Sequence, residues 1–380
     1  MNTNLLKNSA RAQAFYHEGA FVQTSADSFN LFVGPFTVHS SMELAQAFLG
    51  SENAPILYQS NFWSFLERNT AKNEYFTSEE IFVCTRQELN DFFLEVSQNC
   101  AKKESTDNSI DKIDWNAADQ SDFKQQYDWV QNQILHQKLS KGLPISLVQG
   151  KGAIRSRLPE ILGRMSHHPS KNFIYGFWNK NSGMVGSTPE ILSSWSKADS
   201  ELKTMALAGT WRKIFSDSAP DFLDQKINDE HQFVVQDIEN QLESYQLLHK
   251  SKTEVLELPY LFHLKTQFSY SCHSVENFIK AIHLLHPTAA LGLFPRQEKS
   301  YQIFSQMNIQ ATRQQFGAPF GFLSQTEALI VVAIRNILWT EKKIRLFAGC
   351  GVTSESVFVD EWQEILAKQE SVKKMLGVES

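Results

Sequence analysis

The chain is poor in the features that mark several large classes of protein. It has only 4 cysteines in 380 residues, and Cys84, Cys100, Cys272 and Cys350 show neither metal-ligand spacing nor a disulfide framework. It lacks an apolar run of about 20 residues that could span a membrane, and no N-terminal apolar run has the form of a signal peptide. A net charge of −6 leaves no positive excess for broad binding to nucleic acids or membrane surfaces. We therefore expect a soluble protein in a reduced, cytoplasmic setting.

The sequence also lacks a Gly-rich strand–turn–helix fingerprint, so we expect no nucleotide site on a doubly wound parallel sheet. Apolar residues make up 42% and charged residues 21% of the chain, which is ordinary for a globular protein. Residues 101–122 are polar and predict an exposed connection. We divide the chain near this connection into residues 1–115, which carry no motif, and residues 116–380, which carry the candidate chemistry.

Strand-like and helical segments interleave along the chain. The patterns predict a helix over residues 123–140, a strand over 144–148, a hairpin over 173–178 and 183–186, a strand over 203–208, an amphipathic helix over 228–247 and an apolar, strand-like run over 328–336.

Cationic and small residues that could bind an anion lie near the C-terminus. The strand-like run carries one charged side chain, Arg335, whose planar guanidinium can bind a carboxylate through two hydrogen bonds. A small-residue loop follows, in which Gly349 and Gly351 expose amide N–H groups that can receive the same kind of ligand.

The next segment is predicted to be a helix with charges placed beside its apolar stripe. At 100° per residue, Glu361, Glu364 and Lys368 fall on one narrow arc. This arrangement suits a small polyanionic ligand bound with a divalent metal. The helix alone is explained as well by an exposed Glu364–Lys368 pair at i,i+4 spacing.

Glu230 lies in the first turn of the predicted amphipathic helix, on the same face as Val234 and Ile238. A carboxylate on an apolar face is costly unless it is paired or bound to a cation, although the helix dipole also favours one at an N-terminus. Mg²⁺ typically takes one or two carboxylates, waters and an anionic substrate group. Glu230 with Glu364, and Glu361 nearby, would make such a site.

Glu190 follows a proline at the end of the predicted hairpin. A carboxylate held at such a turn and partly removed from water gains a raised pKa and can act as a general acid. Pro-Glu is also a common helix start, and that reading stays open.

Two further turns are candidate parts of a site. Ala208, Gly209 and Thr210 would let the backbone approach a ligand closely and would add a hydroxyl donor. His286 and Thr288 offer an imidazole and a hydroxyl in a turn made rigid by proline. Each of these features taken alone is more often structural.

Seven segments resemble, in order and approximate spacing, the motifs of the chorismate-binding enzymes, the family of isochorismate, salicylate, anthranilate and aminodeoxychorismate synthases. The resemblance runs from about residue 123 to 376, or two thirds of the chain. The similar segments are Gly186–Glu190, Ala208–Thr210, Glu230–His231, His286–Ala289, Ala333–Arg335, Ala348–Gly351 and Glu361–Lys368.

The resemblance implies a fold and a chemistry. The fold would be α/β (α+β), with two large, mainly antiparallel β-sheets packed face to face and helices around them. Residues 116–380 would be the chorismate-binding catalytic domain, and residues 1–115 would join the same architecture. Glu190 would be the general acid on the departing 4-hydroxyl of chorismate.

The remaining roles also follow from the resemblance. Glu230 and Glu364, with Glu361 nearby, would hold Mg²⁺ on one substrate carboxylate. The substrate-binding residues would contact the other carboxylate and the ring region. They are Ala208, Gly209, Thr210, His286, Thr288, Arg335, Gly349, Gly351 and Lys368.

Within the family the chain looks closest to the isochorismate synthases, which implies conversion of chorismate to isochorismate for menaquinone or a siderophore. These enzymes carry a lysine base at the start of the strand after the first helix, where a gapless comparison places Pro144. Lys141 and Lys151 are close in sequence but out of register. Two alternatives therefore stay open: an ammonia-using anthranilate-type or aminodeoxychorismate-type synthase with a glutamine amidotransferase partner, and a catalytically degenerate chorismate-binding protein. Ala208 stands where aminodeoxychorismate synthases often have lysine.

Overall fold

The computed structural model describes residues 8–50, 53–66, 73–100, 112–167, 172–212, 225–257 and 261–379. Half of the predicted polar connection (residues 101–122), namely residues 101–111, lies outside these ranges. The helices of the described residues are α1 (Ser9–His17), α2 (Met42–Leu49), α3 (Arg86–Cys100), α4 (Gln120–Leu135), α5 (Ile154–His167), α6 (Gln225–Gln241), α7 (Val275–Leu285), α8 (Glu298–Ser305), α9 (Asn308–Ala311) and α10 (Phe358–Leu376).

The strands of the same residues are β1 (Gly19–Gln23), β2 (Ser28–Val33), β3 (Thr37–His39), β4 (Ile56–Gln59), β5 (Glu74–Thr77), β6 (Glu80–Thr85), β7 (Asp114–Trp115), β8 (Lys141–Gly142), β9 (Ile145–Lys151), β10 (Phe173–Trp178), β11 (Ser182–Thr188), β12 (Ile191–Ser196), β13 (Glu201–Arg212), β14 (Leu247–Lys250), β15 (Glu254–Glu257), β16 (Leu261–Ser271), β17 (Leu293–Phe294), β18 (Pro319–Leu323), β19 (Glu327–Val332), β20 (Asn336–Thr340) and β21 (Ile344–Gly349).

Two large antiparallel sheets dominate the described residues, as the fold prediction requires. One has nine strands in the order β6-β2-β1-β10-β11-β20-β21-β9-β7, so β1, β2 and β6 of the N-terminal part pair within it. The other has ten strands, in the order β14-β16-β13-β12-β19-β18-β4-β5-β3 with β15 beside β16. A short pair, β17 with β8, lies apart from both.

The centre of the nine-stranded sheet is buried on both faces, which explains why its central strands are rich in apolar residues. Side chains alternate across a strand. In β1, Ala20 and Val22 therefore join the core that includes residues of the ten-stranded sheet, whereas Phe21 joins a second core. That second core contains Phe15 of α1, Phe92 of α3 and neighbours from α5 and α10. Helices thus cover the face that points away from the other sheet.

The predicted hairpin is confirmed, with Phe173 opposite Thr188 in the β10–β11 pair. The two predicted helices are present with shifted bounds, as α4 and α6. The prediction of one strand-like run over 328–336 is wrong: β19 ends at Val332 in the ten-stranded sheet, and β20 begins at Asn336 in the nine-stranded sheet. A fully buried strand is apolar in either sheet, so hydrophobicity alone did not mark the change.

The chain passes between the two large sheets at two neighbouring places. Glu190 lies between β11 of the nine-stranded sheet and β12 of the ten-stranded sheet, and Arg335 lies between β19 and β20. The amide of Ser187 donates to the carbonyl oxygen of Arg335 over 3.2 Å, which ties the two crossings together. The fold therefore brings an acid and a cation from distant parts of the sequence to one point.

Among the described helices, none combines the length and the apolar character needed to cross a membrane.

Candidate active site

A cleft of about 780 Å³ opens beside the two crossings. Nine of the thirteen side chains or glycines proposed from the sequence line it: Glu190, Ala208, Thr210, Glu230, Arg335, Gly349, Gly351, Glu364 and Lys368. Apolar residues such as Leu207, Leu291 and Phe316 supply much of the remaining wall. A mostly apolar cleft with a few convergent charged groups is typical of a small-molecule site.

Glu190 is the buried acid of this cleft. Its side chain is 5% exposed, and its backbone amide donates to Thr188 Oγ1 over 3.2 Å. Burial raises the pKa of Glu190 to about 7, although the positive charges of Lys141, Arg335 and Lys368 oppose this shift. The carboxyl is therefore partly protonated near neutral pH and can give up a proton to a bound ligand.

Arg335 is held at the second crossing by an unusual backbone conformation. Its φ is +52°, in the left-handed region that non-glycine residues seldom adopt. Burial lowers the pKa of Arg335 to about 10, and the Glu190 carboxylate acts in the opposite direction, so the guanidinium is charged at neutral pH. Strain of this kind is concentrated at functional sites.

His263, on β16, connects Arg335 to Thr210. Its Nε2 is 3.3 Å from Arg335 Nη2, and its Nδ1 is 3.1 Å from Thr210 Oγ1. Burial, with repulsion from Arg335 and Lys368, lowers the pKa of His263 well below its usual range, so the ring is neutral. Because the guanidinium can only donate, Nε2 is the acceptor and the ring proton is on Nδ1. Thr210 Oγ1 thus accepts from His263 and keeps its own O–H to donate elsewhere.

Lys368 and Glu364 lie on α10, at the wall of the cleft. Lys368 Nζ donates to the carbonyl oxygen of Gly349 over 2.8 Å and is 2.6 Å from Glu364 Oε1. Burial acts to lower the pKa of Lys368, but the neighbouring carboxylates, led by Glu364, raise it by more. The pKa of Lys368 therefore lies above its ordinary value. The ammonium is therefore a fixed positive charge at the end of β21.

Lys141 and Glu230 form a second ion pair in the cleft. Lys141 is fully buried, and its Nζ donates to the carbonyl oxygen of Ala289 over 2.8 Å and lies 3.3 Å from Glu230 Oε1. Position 351 must be glycine for this pair to fit. A Cβ on Gly351 would come within 2.0 Å of Glu230 Oε1 and 2.7 Å of Lys141 Cε.

The gapless placement of Pro144 at the position of a catalytic lysine is not supported by the structure. Pro144 lies between β8 and β9, and its carbonyl oxygen accepts from the amide of Cys350. The strand is interrupted here, so sequence register does not carry across it, and the nearby lysine that contacts a residue of the cleft is Lys141 on β8, whose Nζ lies 3.3 Å from Glu230 Oε1. Lys151, at the far end of β9, is exposed.

Glu361 is close to the cleft but does not line it. Its side chain is 2% exposed, and its Oε1 is 2.5 Å from the Nζ of Lys226 on α6. Burial raises the pKa of Glu361, Lys226 lowers it, and Glu364 raises it again. The three carboxylates of Glu230, Glu361 and Glu364 are thus each paired with a lysine.

These carboxylates fit Mg²⁺ by their chemistry. All are hard oxygen donors, and the repulsion between Glu361 and Glu364 is of the kind that a cation relieves. As they stand, the described residues include no group of three His, Cys, Asp or Glu side chains close enough to hold a metal ion. Lysine side chains would have to move aside for the ion.

Three proposed substrate-binding residues do not line the cleft. His286 is buried against the ring of Phe62 and its Nε2 is 2.9 Å from the Phe62 carbonyl oxygen; burial lowers its pKa to about 3. Thr288 belongs to the same buried turn. Two later residues of the chain, Ala290 and Leu291, line the cleft instead. Gly209 adopts φ +77° between Ala208 and Thr210, which do line it.

Sequence reasoning did not select His263 or Lys226. His263 occupies one position of a long strand and belongs to no motif of its own; its relation to Thr210 appears only in the β13–β16 register. Lys226 could have been found, because it precedes Glu230 by four residues on a helix and so lies on the same face.

A cleft with a buried acid, several fixed cations and paired carboxylates at the crossing of two antiparallel sheets has the chemistry to suit a small anionic ligand. Comparison with known proteins identifies the family. Residues 58–377 match the chorismate-binding enzyme family, and the chain belongs to that family.

Among curated relatives, isochorismate synthase EntC of Escherichia coli is 30% identical over 204 residues, which cover 51% of this chain and 51% of that protein. The chain therefore spans about half the length of such relatives. The solved structure of MenF, the menaquinone-specific isochorismate synthase of Escherichia coli, has a TM-score of 0.73 at 19% identity and covers 98% of this chain and 91% of its own.

Anthranilate synthase component I of Streptococcus pneumoniae shares the fold as well. Its TM-score is 0.68 at 14% identity, over 95% of this chain and 92% of that one. The fold is thus common to enzymes named for different products, and the reaction must be argued from the site.

Proposed function

We propose that the protein converts chorismate to isochorismate in a Mg²⁺-dependent reaction. Water adds at one ring carbon as the 4-hydroxyl leaves from another. The observation that carries this proposal is the Glu190 carboxyl, whose pKa burial raises to about 7 in a cleft that also holds the cations Arg335 and Lys368. The sequence similarity to isochorismate synthases supports the choice of reaction.

Substrate binding would use the cations at the sheet crossing. The guanidinium of Arg335 and the ammonium of Lys368 would hold one carboxylate of the dianion by charge-assisted hydrogen bonds. The hydroxyl of Thr210, oriented by His263, would donate to the same ligand. His263 thereby fixes two binding groups at once.

The carboxylates Glu230 and Glu364, with Glu361 beside them, would hold Mg²⁺. The ion supplies positive charge to the second carboxylate of the substrate when it is bound. Without such a cation, these side chains would repel a dianion.

Two proton transfers by residues of the chain complete the reaction. Glu190 would give its proton to the departing 4-hydroxyl, which leaves as water. In its neutral form, the amine of Lys141, positioned by the Ala289 carbonyl oxygen, would take a proton from the attacking water. One water enters and one leaves, so the net change is an isomerisation.

The test is Lys141→Gln, with Lys151→Gln as its matched control. We expect Lys141→Gln to lower isochorismate formation about 10²–10⁴-fold, because a general base contributes that much. Lys151 is exposed at the far end of β9, so its variant should keep the wild-type rate. Purified proteins would be incubated with chorismate and Mg²⁺, and the products separated by chromatography.

An ammonium arm of the same experiment separates the alternatives. Neutral ammonia attacks without a base, so an anthranilate-type synthase would make an aminated product that Lys141→Gln leaves unaffected. A protein that binds chorismate and makes neither product would be a degenerate binder. An unchanged rate of isochorismate formation in Lys141→Gln would contradict the role of Lys141.

A further inference from the structure

Lys226 lies closest to the carboxylates of the proposed metal site. It is in the first turn of α6, four residues before Glu230, and its Nζ is 2.5 Å from Glu361 Oε1. Lys226 is thus in direct contact with one of the three carboxylates.

Lys226 differs from the other two lysines of the cluster in how it is held. Lys141 and Lys368 each donate to a backbone carbonyl oxygen as well as to a carboxylate. Within the described part of the chain, the Glu361 carboxylate is the group that Lys226 bonds, and its side chain is 29% exposed. A lysine with a flexible stem and a path to water can move away from its partner.

A divalent cation and this ammonium cannot share Glu361 unchanged. Mg²⁺ binds carboxylate oxygens at about 2.0–2.1 Å with near-octahedral geometry. An ammonium 2.5 Å from Oε1 takes up one of the two carboxylate oxygens and repels the ion.

We propose that Lys226 is an internal counter-ion of the metal site, which neutralises Glu361 in the metal-free protein and moves aside when a divalent cation binds. This inference rests on the proposed metal site. A divalent cation must therefore compete with Lys226 for Glu361. The lysine holds the carboxylates in place in the metal-free protein and weakens metal binding.

The experiment titrates Mn²⁺ alone into the protein and follows the electron paramagnetic resonance signal of the free ion. We expect Lys226→Gln to bind Mn²⁺ about tenfold more tightly than the wild type, because a repelling charge is removed. Lys226→Arg keeps the charge and should bind as weakly as the wild type. The control is Lys250→Gln, which removes the partner of Glu239 elsewhere on α6 and should change nothing.

A second readout needs no metal. In EDTA, Lys226→Gln should lower the Tm by several degrees, because Glu361 is left buried without its partner. In a double variant that also carries Glu361→Gln, the Lys226→Gln substitution should change neither the Mn²⁺ affinity nor the Tm. If Lys226→Gln does not fold, Lys226→Met and Lys226→Arg allow the same comparison.

Equal or weaker Mn²⁺ binding by Lys226→Gln, with clear binding by the wild type, would overturn the counter-ion role and leave the metal site intact. Absence of Mn²⁺ binding in every protein, with the EDTA effect on Tm present, would instead refute the metal site, and the inference with it.

Discussion

Replacing Glu190 by glutamine should abolish turnover and yet stabilise the protein at high pH relative to the wild type. Burial raises the pKa of Glu190 from 4.5 to about 7. The folded protein therefore binds this proton more tightly than the unfolded chain does. The contribution of the protonated Glu190 carboxyl to the free energy of unfolding is fully present below pH 4.5. It is lost as the pH rises towards 7.

The magnitude follows from the two pKa values. One pKa unit corresponds to about 1.4 kcal/mol. Between pH 5 and pH 8 the linkage relation gives a loss of about 2.5 kcal/mol of unfolding free energy from this group. The amide of Glu190→Gln carries no such proton, so over this interval the variant should gain about 2.5 kcal/mol relative to the wild type.

The assay is urea unfolding at pH 5 and pH 8, in EDTA and without substrate. The control is Glu160→Gln on α5, which removes a carboxylate whose side chain is 48% exposed and so remains hydrated in the folded protein. If the difference between wild type and Glu190→Gln is the same at both pH values, the carboxyl is not desolvated and the argument for a general acid fails. Turnover of the variant should fall about 10²–10⁴-fold with little change in chorismate binding.

Three further predictions concern ligand binding. Glu364→Gln should weaken Mg²⁺-dependent chorismate binding, measured by calorimetry; full binding in EDTA that this substitution leaves unchanged would contradict the metal site. Arg335→Lys should raise KM about tenfold, because the charge remains but the two-pronged hydrogen bonding is lost; a KM equal to that of the wild type would exclude a carboxylate contact. Gly351→Ala should reduce metal affinity by displacing Glu230 and Lys141, since its Cβ would lie 2.0 Å from Glu230 Oε1; unaltered Mn²⁺ binding would show that the pair is not part of the metal site.

The individual strands could be predicted from local sequence, and the fold and most of the cleft from the motifs that resemble the chorismate-binding enzymes. Alternating and continuous apolar runs mark the strands, and the motif residues Glu190, Glu230 and Lys368 line one cleft as expected. The change of sheet at Arg335 could not be predicted, because the apolar run continues across it and only the backbone conformation, with φ +52°, shows the break.

The remaining errors concern side chains whose partners are distant in sequence. Counting along a strand placed Pro144 at the position of the base, but β8 ends before it and β9 begins after it, and the Nζ of Lys141 on β8 is the group that contacts Glu230. His286 was expected in the cleft and instead lies against Phe62, which is 224 residues away in sequence. His263 acts through a cross-strand neighbour, and a single sequence does not record which strands are neighbours.

The charges of the cleft suggest why a metal and a dianion would bind together. Three carboxylates, Glu230, Glu361 and Glu364, each pair with a lysine, so their formal charges cancel. A divalent cation alone would leave an excess of two positive charges, and a dianion alone an excess of two negative charges. Bound together, the two ligands add no net charge to a partly desolvated site, where an uncompensated charge is costly. On the proposed function, each ligand should therefore increase the affinity for the other by the same factor.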